Sequence, residues 1–114
     1  MKKSFLCFVM LFLFFACGAK KDETEVQKLF NQGQAALAAA KYDSAMAVYD
    51  TILKKFPKHP KSDRALFMKG YIEMEFLGNR AKGEKYLNDF LVRYPKSDLV
   101  KDAKYLLSEQ KPKF

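Results

Sequence analysis

Five positions of this chain return at one fixed offset. Ala45, Tyr49, Ile52, Phe56 and Pro57 reappear 38 residues later as Gly83, Leu87, Phe90, Tyr94 and Pro95, and Ala65 recurs as Ala103 at the same distance. A period of that length is the mark of one supersecondary unit used more than once. Around these positions the apolar residues fall three and four apart, the spacing of one face of an α-helix, and no segment alternates with period two. The chain therefore reads as all-α. Each helix pair exposes an apolar face that it cannot bury alone, so neighbouring pairs must stack.

Five helices follow from this pattern. Thr24 with Gln27 three residues later fits a capping box that opens the first, and Val26, Leu29, Phe30, Gly33, Leu37 and Ala40 recur along it. The second carries Tyr42, Ala45, Tyr49, Ile52, Leu53 and Phe56, and Pro57 stops it. A third is expected from Ser62 to Leu77, with Leu66, Phe67, Gly70, Tyr71 and Met74 on one face and Gly78-Asn79 as its C-terminal cap. Gly83, Leu87, Phe90, Leu91 and Tyr94 mark a fourth before Pro95. Ser97 can cap a fifth, with Leu99, Ala103, Leu106 and Leu107 inward. Small residues at Gly33, Ala45, Gly70 and Gly83 let paired helices approach closely.

In the first unit Gly33, Tyr42, Ala45, Tyr49 and Pro57 fall at the small, aromatic and proline positions of the tetratricopeptide repeat, which the pattern resembles over roughly residues 24–110. The second unit is looser: Gly83 and Pro95 match, but Arg80 stands where an aromatic is expected. The Phe56-Pro57 and Tyr94-Pro95 steps look like the variant found in envelope proteins such as the outer-membrane assembly lipoprotein BamD and the Tol–Pal-associated coordinator. The resemblance implies a right-handed α-α superhelix of helix hairpins, two repeats plus a C-terminal capping helix.

The first residues read differently. Met1-Lys2-Lys3 is a basic head, and Phe5 to Ala16 is an almost unbroken apolar run of twelve residues, short of the about 20 that a membrane-spanning helix needs. A positive head, a short apolar run and a small residue before the cut form the layout of an export signal. Cleavage after Ala16 leaves Cys17 as the first residue and the one remaining cysteine. Phe14-Phe15-Ala16-Cys17-Gly18 resembles the lipobox of bacterial lipoproteins, although the family prefers Leu at Phe14 and a small residue at Phe15. That likeness implies a diacylglyceryl group on the Cys17 sulfur. The expected organisation is a signal peptide at 1–16, a lipidated tether at 17–23, a helical domain at 24–110 and a disordered tail at 111–114. The tether would span on the order of 15 Å and hold the domain close to a bacterial outer membrane, on its periplasmic side. Lys21-Asp22-Glu23 also resembles a signal that sends some lipoproteins to the cell surface.

The chain carries 21 basic and 13 acidic side chains, a net charge of +8, and loss of Lys2 and Lys3 leaves +6. Such a surface suits anionic headgroups or acidic partners, and equally describes a solvated lysine-rich helical face. Nucleic acid is not expected as a partner, because no basic stripe is interleaved with stacking aromatics.

Catalytic chemistry finds no constellation. A nucleophile needs a base within reach, yet the processed chain holds one histidine, His59, in a turn between Pro57 and Pro60, where it reads as solvated. Zinc sites gather three or four ligands, whereas Glu73 and Glu75 point in different directions on a helix. Asp98 and Asp102 could share a face, but Asp98 fits the positive end of the last helix better. There is no Gly-rich phosphate loop, so no enzyme, metal or cofactor is expected.

What remains is binding. By the tetratricopeptide resemblance, the first helix of each pair lines a concave groove for a peptide or protein. Gln27, Phe30 and Gln34 would line it from the first unit, Arg64, Phe67, Tyr71 and Met74 from the second, with Lys104 nearby from the last helix. An aromatic and methionine surface with basic edges suits an extended apolar or acidic segment. In so small a domain Phe30, Phe67 and Met74 serve equally well as core beneath the last helix. The reading is a membrane-anchored, non-catalytic adaptor that holds another cell-envelope protein, with room for self-association in so short an array. The competing reading is a surface lipoprotein acting through its basic face on lipid headgroups or glycans, in a structural or defensive role.

Overall fold

The computed structural model describes residues 21–109. The expected signal peptide, Cys17, the start of the tether and the tail at 111–114 lie outside these residues. Five helices follow one another: α1 over residues 21–38, α2 (Tyr42–Lys55), α3 (Ser62–Glu75), α4 (Arg80–Arg93) and α5 (Val100–Glu109). The all-α hairpin architecture is as the repeat predicts. No helix among the described residues is long and apolar enough to cross a membrane.

One boundary differs. Residues 21–23, expected in the tether, are already helical, so Thr24 stands inside α1 and does not cap it. The reason is tertiary. Lys61 Nζ donates to Glu23 Oε1 at 2.7 Å, and Lys55 Nζ donates to Glu25 Oε1 at 3.0 Å. The first turn of α1 is thereby held against the turn that joins α2 to α3.

The turns repeat along with the helices. Phe56 leaves α2 at φ −129°, ψ 55°, and Tyr94 leaves α4 at φ −129°, ψ 59°. In each turn the amide three residues on, at His59 or Ser97, donates to the carbonyl of that aromatic at 3.1 Å. His59 Nδ1 then accepts from the Lys61 amide at 3.1 Å, as Ser97 Oγ accepts from the Leu99 amide at 3.2 Å. His59 is therefore not the solvated turn residue its surroundings in the sequence predict. Its side chain is largely buried, with Nε2 3.1 Å from Glu23 Oε2. Since Nδ1 accepts, the ring proton sits on Nε2 and is donated to the carboxylate.

At the opposite end, α1 closes with a left-handed residue. Ala40 has φ 59°, and the amides of Ala40 and Lys41 donate to the carbonyls of Leu37 and Ala36. This pairing is a Schellman cap with alanine in the place usually taken by glycine. The α3–α4 turn uses Gly78 at φ 65°.

Burial is divided between two clusters. Val26, Phe30, Ala45, Tyr49, Ile52, Ala65 and Ile72 form the first, between α1, α2 and α3. Leu66, Met74, Leu87, Phe90 and Ala103 form the second, between α3, α4 and α5. Leu53 packs against both and makes them one continuous interior. Across this seam Lys69, only 8 % exposed, pairs with Asp50 of α2 and lies 4.3 Å from the ring centroid of Tyr86 in α4. A single cation thus ties the two repeats together. In α5, Lys104 and Ser108 replace Leu66 and Gly70 of α3 and are exposed. The edge where a further helix would stack is therefore polar, as a terminal unit of a repeat array requires.

Candidate interaction cleft

Between α1, α3 and the entry to α5 lies a cleft of about 520 Å³. Five of the residues expected in the groove meet there: Gln27, Phe30 and Gln34 from α1, and Arg64 and Phe67 from α3. Their helical spacing is the cause, since Gln27, Phe30 and Gln34 stand three and four apart and share one face, as do Arg64 and Phe67.

Within the cleft the side chains are unequally available. Phe30 is 8 % exposed and rests against Tyr49, ring centroids 6.0 Å apart, so it serves as floor and as core together. Phe67 is half-buried, edge-on to Phe90 at 5.8 Å and stacked with Tyr71 at 6.4 Å. Gln27 spans α1 and the next turn, donating to Asn31 and accepting from Lys61. A second Lys61 hydrogen bond, donated to Glu23, lowers the pKa of that carboxyl below its ordinary value. Asp63, on the same wall, accepts from its neighbour Arg64's amide and from the Ser97 hydroxyl, joining α3 to the turn before α5.

Three expected residues stand elsewhere. Met74 is buried in the second cluster, with its Cγ only 2.1 Å from where a Cβ on Gly83 would stand. The α3–α4 approach draws it into the core. Lys104 is exposed on α5 and is the repeat equivalent of Leu66, whose partners lie in the second cluster, so it belongs to the terminal edge. Tyr71 borders Phe67 and Phe76 beyond the cleft. The repeat equivalent of Phe67 is Tyr105, 38 residues on and 61 % exposed. Despite that pairing in the 38-residue period, Tyr105 does not line the cleft. Asp63 from the first turn of α3, and Asp98 and Leu99 from the turn before α5, also line the cleft.

At the floor, Tyr49 packs beneath Gly33, where an added Cβ would stand 2.9 Å from Cζ. Its hydroxyl is buried and has no hydrogen-bond partner, and desolvation raises its pKa above the ordinary 10.0. Among the described residues, no group of three or more His, Cys, Asp and Glu is placed to hold a metal ion.

The helix pairs, their repeated turns and the small-residue contacts agree with one family. A family model of the tetratricopeptide repeat matches residues 29–59 and 64–97, together more than half of the chain. The chain belongs to the tetratricopeptide-repeat family. No curated protein matches it. Tetratricopeptide repeats are typically non-catalytic modules of protein–protein interaction, and stacked helix pairs present concave binding surfaces. In this tetratricopeptide protein the cleft of Gln27, Phe30, Gln34, Arg64 and Phe67 lies between the first helices of the two repeats, with α1 and α3 as its walls.

Proposed function

We propose that the protein is a membrane-anchored, non-catalytic adaptor of the bacterial cell envelope, holding a peptide segment of another envelope protein in this cleft. The single observation that carries the reading is the cleft itself. It offers an aromatic wall in Phe67, amides in Gln27 and Gln34, and a cation in Arg64. Polar and apolar residues share the lining about evenly, which suits an extended segment whose main-chain carbonyls meet the amides. The anchor rests on the lipobox-like Phe14-Phe15-Ala16-Cys17-Gly18. A lipid on Cys17 would confine the adaptor to the outer membrane, on its periplasmic face, and raise its effective concentration for partners there. A role in outer-membrane protein assembly or envelope maintenance fits the BamD-like form of the repeat.

The test is photo-crosslinking in bacteria that express the full chain. A photoreactive residue at Phe67 should capture an envelope protein that the same residue at Val92, 79 % exposed on α4, does not. Cys17→Ala should reduce that product. Identical captures from both positions would remove the cleft from the proposal. A product containing only a second copy of this chain would replace adaptor function with self-association.

A further inference from the structure

The end of the domain at which α1 begins is also the end at which both repeat turns lie. Glu23 meets His59 and Lys61 of the first turn, and Asp63 beside that turn meets Ser97 of the second. Asp22 and Glu23 share a shallow hollow with Phe56, Pro57 and Pro60. Exposed lysines at this end include Lys21, Lys54, Lys58, Lys96 and Lys101, besides Lys55, which pairs with Glu25. The acids nearest to them are partly spent within the domain, since Glu23 is engaged with Lys61 and Glu25 with Lys55. Exposed Pro57, Pro60 and Pro95 sit between the lysines and hold the turns blunt.

We infer that this end, through Lys54, Lys58 and Lys96, lies on an anionic lipid surface and fixes the orientation of the cleft relative to the membrane. The inference rests on the proposed anchoring at Cys17. Four residue steps lead from Cys17 to the helical residue 21, a reach of at most about 14 Å. The Glu23–Lys61 and Glu25–Lys55 pairs keep α1 from swinging away from the turns. A domain held so close places the turn lysines within roughly one to two screening lengths of the headgroups, where the attraction still acts. The remaining acids at this end, Asp22 on α1, Asp98 in the second turn and Asp102 in the first turn of α5, reduce the attraction without cancelling it. Lys41 and Lys82 belong to the opposite end, where α1 closes and α4 begins, and stay in solvent.

Amine footprinting tests this on the full chain purified from membranes of expressing bacteria. The protein is reconstituted into vesicles of phosphatidylcholine alone, or of phosphatidylcholine with phosphatidylglycerol, and its lysines are acetylated briefly and read by mass spectrometry. Lys54, Lys58 and Lys96 should react severalfold more slowly on the anionic vesicles, with Lys41 and Lys82 unchanged, and the difference should vanish in concentrated salt. If the chain floats with both vesicle types and the three lysines react equally on each, the inference is overturned and anchoring stands. Flotation with the anionic vesicles alone would overturn the anchor, and with it the inference that rests on it. Flotation with neither would overturn both.

Discussion

Gly70 and Gly83 face each other across α3 and α4 so closely that a Cβ on either would press on the other's carbonyl oxygen. A Cβ on Gly70 would lie 3.3 Å from the Gly83 oxygen and 2.7 Å from Leu87 Cγ. One on Gly83 would lie 3.1 Å from the Gly70 oxygen and 2.1 Å from Met74 Cγ. At these two small positions α3 and α4 come into backbone contact, and the side chains of Leu87 and Met74 occupy the space beside them.

Gly83→Ala should accordingly destabilise the protein although alanine favours the helix. Overpacking costs about 1–3 kcal/mol, against a helix-propensity gain of about 1 kcal/mol. A net loss of up to about 2 kcal/mol is expected in denaturant unfolding. Because the clash is with Met74, adding Met74→Ala to Gly83→Ala should cost less than the two single losses together. Strict additivity would show that Met74 does not carry the clash.

Ala40→Gly should do the opposite. The left-handed conformation at φ 59° costs an L-residue about 1–2 kcal/mol, from which the extra freedom of glycine in the unfolded chain subtracts about 0.4–1 kcal/mol. A gain of about 0.5–1 kcal/mol is expected, seen as a melting temperature raised by a few degrees. An unchanged or lower melting temperature would mean that Ala40 is not strained in the Schellman cap.

Tyr49 separates the value of its ring from that of its hydroxyl. The buried hydroxyl has no partner, so Tyr49→Phe should leave stability at neutral pH unchanged or raise it by up to about 1 kcal/mol. Tyr49→Ala should cost about 3–5 kcal/mol. The pH dependence has a definite sign. Burial raises the folded pKa above the unfolded 10.0, so the folded state holds the proton more tightly. Stability is then lost as the pH rises from 10.0 towards the folded value. Tyr49→Phe should flatten that alkaline limb of an unfolding series, and an identical limb would show that Tyr49 does not titrate.

Lys69 links Asp50 and the Tyr86 ring across the seam between repeats. Removing Asp50 alone, as in Asp50→Ala, leaves a largely buried ammonium without its counter-charge and should cost about 1–2 kcal/mol, reduced by the partial exposure of Asp50. Lys69→Met keeps the volume and removes the charge, so it should cost less, within about 1 kcal/mol of the native protein. Combining both should be milder than Asp50→Ala alone. If Lys69→Met proves the most damaging of the three, the cation contributes net attraction that exceeds its desolvation.

Much of this structure was legible beforehand, for identifiable reasons. Proline after Phe56 and Tyr94 ends a helix by local sterics, and apolar spacing depends only on the 3.6-residue turn, so the helices and their repeat needed no knowledge of neighbours. The start of α1 was misread because Thr24 and Gln27 have the local form of a capping box. The actual helix extends further, held by Lys55 and Lys61 at separations of 30 and 38 residues. His59 likewise looked like a solvent residue until Glu23 was brought to its ring.

The cleft divides along the same line. Gln27, Phe30, Gln34, Arg64 and Phe67 were readable because they share helix faces. Met74 shares the face of Leu66 and Phe67 in the sequence pattern, yet it is core, because the Gly70–Gly83 contact brings α4 within reach of its Cγ. Lys104 and Tyr105 are adjacent, and only the register of α5 against α3 separates an edge residue from a repeat of Phe67. The sequence alone determined the number of helices, their pairing at 38 residues and the places where backbones meet. The tertiary structure decided which apolar side chains became wall and which became core. That choice depends on the distance between helices, a property of the packed chain that no single helix contains.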